Sequence, residues 1–454
     1  MRNILRPKTL LTILVGVLLV AGFALPRIAS ASVPDVNALV SLDSSGLQGN
    51  NDSHSYGKSI SNDGRYIVFM SSASNLVSGD TNGANDIFVR DTVSGTTTRV
   101  SVSSSGVQAD SSSIDPRISY DGQYVVFESA ADNLVSGVTP GTLHAYIHNM
   151  QTGTTLAADT NAAGTIGDRS AEYPDISSDG RFVVFLSDSS NLVTGINPEG
   201  AALKQVFVKD MYTGQVEVLS INSTGSQANN NSYNPRISCD GGIVVFQSVA
   251  SNLVSGDTNG RQDIFVDTLG WSANQLTDIT ITGNGDSENP AVSCDGNDIA
   301  YDTHANNLVS GLSATGVVKY DRLTGAATIV SANSSGQPAY YGGVMPDISE
   351  DGRYIVFLSS GTTELDASRS YFNGPGFTYD TFIRDTKLGT TQVLSIDLAG
   401  QGAGTSVDNP AISADGSVAA YDGMAENAVV QPSRRLVSTD ANGKEDVFTS
   451  GTGF

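Results

Sequence analysis

An Asp-Gly pair returns seven times along this chain, at Asp63, Asp121, Asp179, Asp240, Asp295, Asp351 and Asp415, with successive spacings of 58, 58, 61, 55, 56 and 64 residues. A serine stands two residues before each of these aspartates: Ser61, Ser119, Ser177, Ser238, Ser293, Ser349 and Ser413. A proline stands five residues before six of them, from Pro116 to Pro410, and Lys58 takes its place in the first copy. Self-similarity at such a period means one supersecondary unit repeated, each copy burying its apolar face against its neighbours.

Each copy reads as four strands. Pro-x-Ile/Val-Ser, as in Pro116-Arg117-Ile118-Ser119, is a short first strand with proline tolerated at its start. Asp-Gly makes the tight turn, where glycine accepts positive φ and the preceding serine is expected to bond backbone. The second strand (Tyr66-Ile67-Val68-Phe69 and its equivalents) is apolar on both faces, which suits a sheet sandwiched between two other sheets. Asn-Leu-Val-Ser/Thr-Gly follows, then a third strand such as Ile87-Phe88-Val89, then a fourth ending in Val/Leu-Ser. The last copy stops after Val447-Phe448 without a fourth strand, whereas Val40 to Gln48 aligns without gaps to Val100 to Gln108, a fourth strand and its exit. The expected fold is therefore an all-β, seven-bladed β-propeller of four-stranded antiparallel sheets, closed by an N-terminal strand that completes the last blade. Closure protects edges that an open array would expose. The expected blades cover residues 47–102, 103–160, 161–221, 222–280, 281–332, 333–396 and 397–454, the last with strand 37–43, within a propeller of residues 36–454.

Pro-x-Ile-Ser-x-Asp-Gly-x-Tyr-Ile-Val-Phe followed by Asp-Ile-Phe-Val-Arg-Asp resembles the WD40-like, TolB-type β-propeller repeat. The resemblance covers essentially all of the chain after its first 35 residues. It implies kinship with the TolB translocation protein, the propellers of prolyl-oligopeptidase-type peptidases and some polysaccharide lyases, where the propeller mostly binds protein or gates another domain. It specifies fold strongly and function weakly.

The chain opens with a basic segment (Arg2, Arg6, Lys8), an uncharged apolar run from Thr9 to Leu25, and Ala29-Ser30-Ala31 as a cleavage site. Residues 1–31 thus read as a signal peptide, and the protein as exported: periplasmic, extracellular or cell-surface. An uncleaved anchor is the rival reading. After cleavage no membrane insertion is expected, and a monomer is the default. With 24 Lys/Arg against 47 Asp/Glu the net charge is −23, a field that repels phosphate backbones and makes a nucleic-acid partner improbable.

Asp-Thr/Ala-Asn-Gly-x-x-Asp recurs at Asp80, Asn82 and Asp86, at Asp257, Asn259 and Asp263, and at Asp440, Asn442 and Asp446. Oxygens spaced around a glycine resemble the opening of a calcium loop, with affinity on the order of 10⁻⁴–10⁻³ M expected. The plainer reading is a hairpin turn. No cofactor is required. Cys239 and Cys294, each directly before an Asp-Gly, either bridge neighbouring blades or stay as buried thiols, since equivalent points on adjacent blades are often too far apart. His54, His144, His148 and His304 are expected at ordinary loop or surface positions, with His144 and His148 about 13 Å apart along one strand.

Tyr173, Tyr233, Tyr340 and Tyr341 sit in the connections between blades and offer a binding rim, or else fill the channel mouth. No Gly-x-Ser-x-Gly elbow occurs. The leading expectation is a binding scaffold for a protein, peptide or glycan without catalysis. A structural surface or matrix component and a channel-site polysaccharide lyase are the alternatives.

Overall fold

The structure, a computed structural model, describes residues 37–453 apart from 198–201, 271–275, 313–314, 341, 368–377, 397–406 and 425–441. The expected signal peptide, Trp271, Tyr341 and Asp440 lie outside the described residues. Seven four-stranded antiparallel sheets follow one another, and a four-residue helix, Thr362–Leu365, is the only helix among the described residues.

Local chemistry explains why every copy turns at the same place. In each, the serine hydroxyl donates to the aspartate two residues on and accepts the N–H of the residue that opens the second strand. Ser177 Oγ lies 2.7 Å from Asp179 Oδ1 and 2.9 Å from the nitrogen of Phe182. The turn glycine has a second role. Gly180 sits at φ 72°, and a Cβ there would come within 2.4 Å of the Tyr124 ring in the preceding blade. The same contact runs round the molecule to Gly64 against Val418, so it spans the seam between last blade and first.

The second and third strands carry the core. Phe69 stacks on Phe88, Phe185 on Phe207 and Phe246 on Phe265, with centroids 5.6–5.8 Å apart. Burial of paired aromatics adds stacking to area removed from water. Side chains from adjacent blades then merge, as where Val68 and Ile87 meet Val125 and Phe127.

The first strands run longer than their sequence suggested. Ser113–Ile118 and its equivalents begin two or three residues before the proline and pass through it by a bulge, with a register shift between Ile114 and Arg117 in blade two. The residue before proline takes the left-handed conformation in six copies: Asp115, Tyr173, Asn234, Asn289, Met345 and Asn409 at φ 45–52°. A bulge re-aims the following side chain. The first copy has no proline and two extra residues, and there Lys58 takes φ 62°.

Closure is by the N-terminal strand. Ala38–Leu39 pairs with Glu445–Gly451, Ala38 opposite Thr449 and Leu39 opposite Phe448. Val40 N donates to Val447 O at 2.8 Å, and Ser41 Oγ to buried Asp446 at 2.6 Å. Val40, Ile60, Phe69, Phe88, Ala420 and Val447 form one buried cluster across the seam.

Candidate functional site

The first strands of neighbouring blades contact one another and line the axis. At the Asp-Gly end they close on themselves. In five blades the residue before Asp-Gly reaches the next blade's equivalent through backbone, as with Asn62 N on Tyr120 O at 2.8 Å, Ser178 N on Cys239 O at 2.9 Å and Cys294 N on Glu350 O at 3.0 Å. This crowding decides the cysteine question. Cys239 and Cys294 form a disulfide with Cα atoms 4.5 Å apart, because the position lies beside the axis, where adjacent blades converge.

Above this ring the bulges aim charges inward. Lys58 reaches from blade one across the axis, its Nζ 2.9 Å from Asp175 Oδ1 and 2.5 Å from Ile176 O of blade three. Asp175 also accepts the Ile237 N–H of blade four at 2.9 Å. Asp347 of blade six accepts Ile412 N at 3.0 Å and Lys58 N at 3.4 Å. Burial pushes Asp175 up, but Lys58, Arg236 and Arg117 outweigh it and hold the carboxyl below its usual range. The space left among these groups is about 20 Å³, room for about one water. The Lys58–Asp175 pair bolts the waist across the axis.

The opposite mouth is acidic. Directly after the aromatic of the second strand, four blades carry Glu128, Gln247, Asp302 and Asp422. Three of these latch the strained residue of the next blade. Glu128 accepts Tyr173 N at 2.5 Å, Gln247 accepts Asn289 N at 2.6 Å, and Asp302 accepts Met345 N at 3.2 Å. Asp422 instead takes the Ser55 hydroxyl of blade one at 3.2 Å. Burial, then Asp115, pushes Glu128 up to about 9, and burial pushes Asp302 up to about 7. Half-buried Asp115, Glu288 and Asp408 lie around them and carry the rim's negative charge, while Glu172 is paired with Lys204 at 2.5 Å and Glu445 lies 3.6 Å from His54. Sequence reading missed these latches, although an acid closing an otherwise apolar strand, as in Tyr301-Asp302, is a visible signal.

His304 is exposed in a loop, as expected, but the other three histidines are not at ordinary loop or surface positions. His144 is fully buried and bonded to Asp159 at 2.7 Å. His148 is buried beside Thr155 Oγ1 at 2.8 Å, and burial lowers it to about 4. His54 stands at the mouth, 3.2 Å from Asp422 and 3.6 Å from Glu445. Its bond to Asp422, then that to Glu445, pushes it up to about 10, so it is an imidazolium at neutral pH. His304 bonds Thr315 Oγ1 at 2.8 Å.

Of the rim tyrosines, Tyr173 and Tyr233 flank the mouth on consecutive blades, with Tyr173 36% exposed. Tyr340 lies on an outer loop, its N–H on Glu364 at 2.7 Å, and is 67% exposed.

The three Asp-Asn-Gly loops diverge. In blade one the Arg99 guanidinium lies 3.6 Å from Asp80 and 3.4 Å from Asp86, and Gln108 Nε2 bonds both at 2.9 and 2.8 Å. This loop departs from the expected calcium loop by supplying its own cation. In blade seven Gln48 Nε2 bonds Asp446 at 2.7 Å, and Asn442 Nδ2 bonds Gly49 O at 2.9 Å. In blade four Asp257 and Asp263 gather with Asp278, a residue the sequence pattern did not indicate.

No protein-family model matches the chain, and no curated protein matches it. Solved structures do. An oligogalacturonate lyase from Vibrio parahaemolyticus is 12% identical with a TM-score of 0.53, over 88% of this chain and 91% of that one. The β-propeller domain of the Trilobed protease from Pyrococcus furiosus, described as an open velcro topology, is 10% identical with a TM-score of 0.52, over 88% and 95%. TolB from Acinetobacter baumannii is 17% identical with a TM-score of 0.40, over 68% of this chain and 58% of its own length. The shared feature is the fold, the seven-bladed propeller that the TolB-type repeat resemblance implied. Among the described residues no helix is long and apolar enough to cross a membrane.

Proposed function

We propose that the protein is an exported binding scaffold that holds a peptide, protein or glycan partner at the acidic mouth of its axis and carries out no chemistry there. The observation behind this reading is the cluster of half-buried acids Asp115, Glu288 and Asp408 at the mouth, on the axis that the Lys58–Asp175 pair spans. Such a rim attracts positive charge. A basic polypeptide segment suits it best, with Tyr173 and Tyr233 as amphipathic walls.

A second reading is a polysaccharide lyase, drawn from the fold shared with oligogalacturonate lyases. A lyase needs a free base beside an anionic sugar. Here His54 is held protonated by Asp422 and Glu445, Lys58 is committed to Asp175, and the surrounding acids repel a uronate.

The test is titration of the folded chain with a synthetic lysine- and arginine-rich peptide at two salt concentrations, beside incubation with oligogalacturonate. Binding of the peptide that weakens with salt and with Glu172→Gln plus Tyr173→Ala, without turnover of the sugar, supports the scaffold. Release of unsaturated uronate establishes the lyase. A groove of about 430 Å³ between blades two and three is lined by Tyr124, Leu156, Met211 and Tyr212. Binding lost with Tyr212→Ala and indifferent to the mouth would move the contact to that groove and overturn the mouth reading.

A further inference from the structure

We propose that Asp257, Asp263 and Asp278 form a divalent-cation site, of the calcium type, that fastens the loop between the second and third strands of blade four to that blade's outermost strand. Asp257 lies in the loop, Asp263 opens the third strand (Asp263–Thr268), and Asp278 ends the fourth (Thr277–Asp278). One carboxylate oxygen from each lies within 4.8 Å of the others. Asp263 is fully buried and held by Thr280 Oγ1 at 2.8 Å and Asn259 Nδ2 at 2.9 Å.

A separate observation says that something is to be bound. Asp257 is only 8% exposed, yet its buried Oδ1 has no hydrogen-bond partner, and neither has the buried Oδ2 of Asp278. Unpartnered carboxylate oxygens are costly inside a protein unless they meet a cation. No Lys, Arg or His is ion-paired to any of the three among the described residues.

The repeat supplies an internal control. Asp278 stands opposite Phe265, as Arg99 stands opposite Phe88 in blade one and Leu39 opposite Phe448 in blade seven. At the step where blade one places a guanidinium between its two aspartates, blade four places a third carboxylate. The carboxamide is missing too. Asn133 Nδ2 bonds Gln108 O, and the equivalent Asn307 Nδ2 bonds Thr282 O, so Thr282 stands where blade one has Gln108. Blade four has therefore exchanged the built-in cation and its amide donor for negative charge around the same loop. Three hard oxygen donors with no nitrogen or sulfur ligand suit Ca²⁺, which accepts irregular geometry and completes its shell with water, over the transition metals.

The experiment is calcium titration of the full chain by calorimetry, with thermal unfolding in chelator and in millimolar CaCl₂. One site per chain is expected, at a Kd on the order of 10⁻⁴ M, with a melting temperature raised by calcium. Asp257→Asn should weaken binding at least tenfold. Asp278→Arg, which rebuilds the blade-one arrangement, should melt higher than wild type in chelator and gain nothing from calcium. Asp80→Asn should keep the full response. Absence of calcium binding in the wild type, or a calcium increment that survives Asp278→Arg and Asp257→Asn, overturns the site.

Discussion

Replacing Lys58 with methionine tests the bolt across the axis. The substitution keeps an unbranched apolar stem and removes the ammonium 2.9 Å from Asp175 Oδ1, together with its bonds to Ile176 O and Ile237 O. Breaking one side of a buried pair leaves a buried charge uncompensated, which costs about 3–5 kcal/mol. Arg236 and Arg117 remain in the same chamber and favour the lower end of that range. With about 2.1 cal/mol/K of unfolding entropy per residue over roughly 420 residues, the loss corresponds to a melting temperature lower by about 3–6 °C. Thermal unfolding at pH 7 should show it, and the Lys58→Met/Asp175→Asn double variant should recover at least half, because no lone charge is left behind. The pH dependence gives a second check. Asp175 has a folded pKa held below its unfolded value, so the stability it contributes is present above about pH 4 and fades as pH falls. Once Lys58 is gone that contribution shrinks to what Arg236, Arg117 and the Ile237 N–H still supply, so the gap between wild type and variant should be widest near neutrality and narrow in acid. A loss under about 1 kcal/mol, or single-variant losses that simply add in the double, would refute the coupling across the axis.

Other consequences are equally direct. His54 is raised above its unfolded value, so its contribution is complete below about pH 6.5 and is lost as pH climbs toward about 10; His54→Gln should cost the most in chemical-denaturation stability below about pH 6.5, with the gap to wild type closing over that window. Gly180→Ala combines a left-handed backbone with a Cβ 2.4 Å from Tyr124, and should cost about 2–4 kcal/mol. Gly137→Ala, at φ 92° but facing open space, should cost about 1 kcal/mol, and equal losses at the two sites would disprove the inter-blade contact. Thiol titration of the native protein should find no free cysteine. The Cys239–Cys294 bridge closes a separation of 55 residues, so its reduction should lower stability by no more than about 4 kcal/mol in guanidinium unfolding.

The architecture was legible in the chain because it rests on chemistry repeated locally. Ser-x-Asp-Gly specifies a turn by contacts within five residues, the apolar run after it specifies a strand buried on both faces, and seven copies specify how many such sheets must stack. The displaced fourth strand around Val40 even located the closure, since a sheet edge left by Val447-Phe448 has only one matching strand in the sequence. What the linear order could not carry was radial position. Near the axis equivalent residues of adjacent blades nearly touch, which brings Cys239 to Cys294 and lets Lys58 meet Asp175 two blades away. Further out they diverge, so neighbours there belong to one blade. That is why Asp278 had to be seen in place beside Asp257 and Asp263 before its charge acquired a meaning. Spacing along the chain fixes which strand a residue occupies. Its distance from the axis, set only when the sheets pack in a ring, fixes whom it meets.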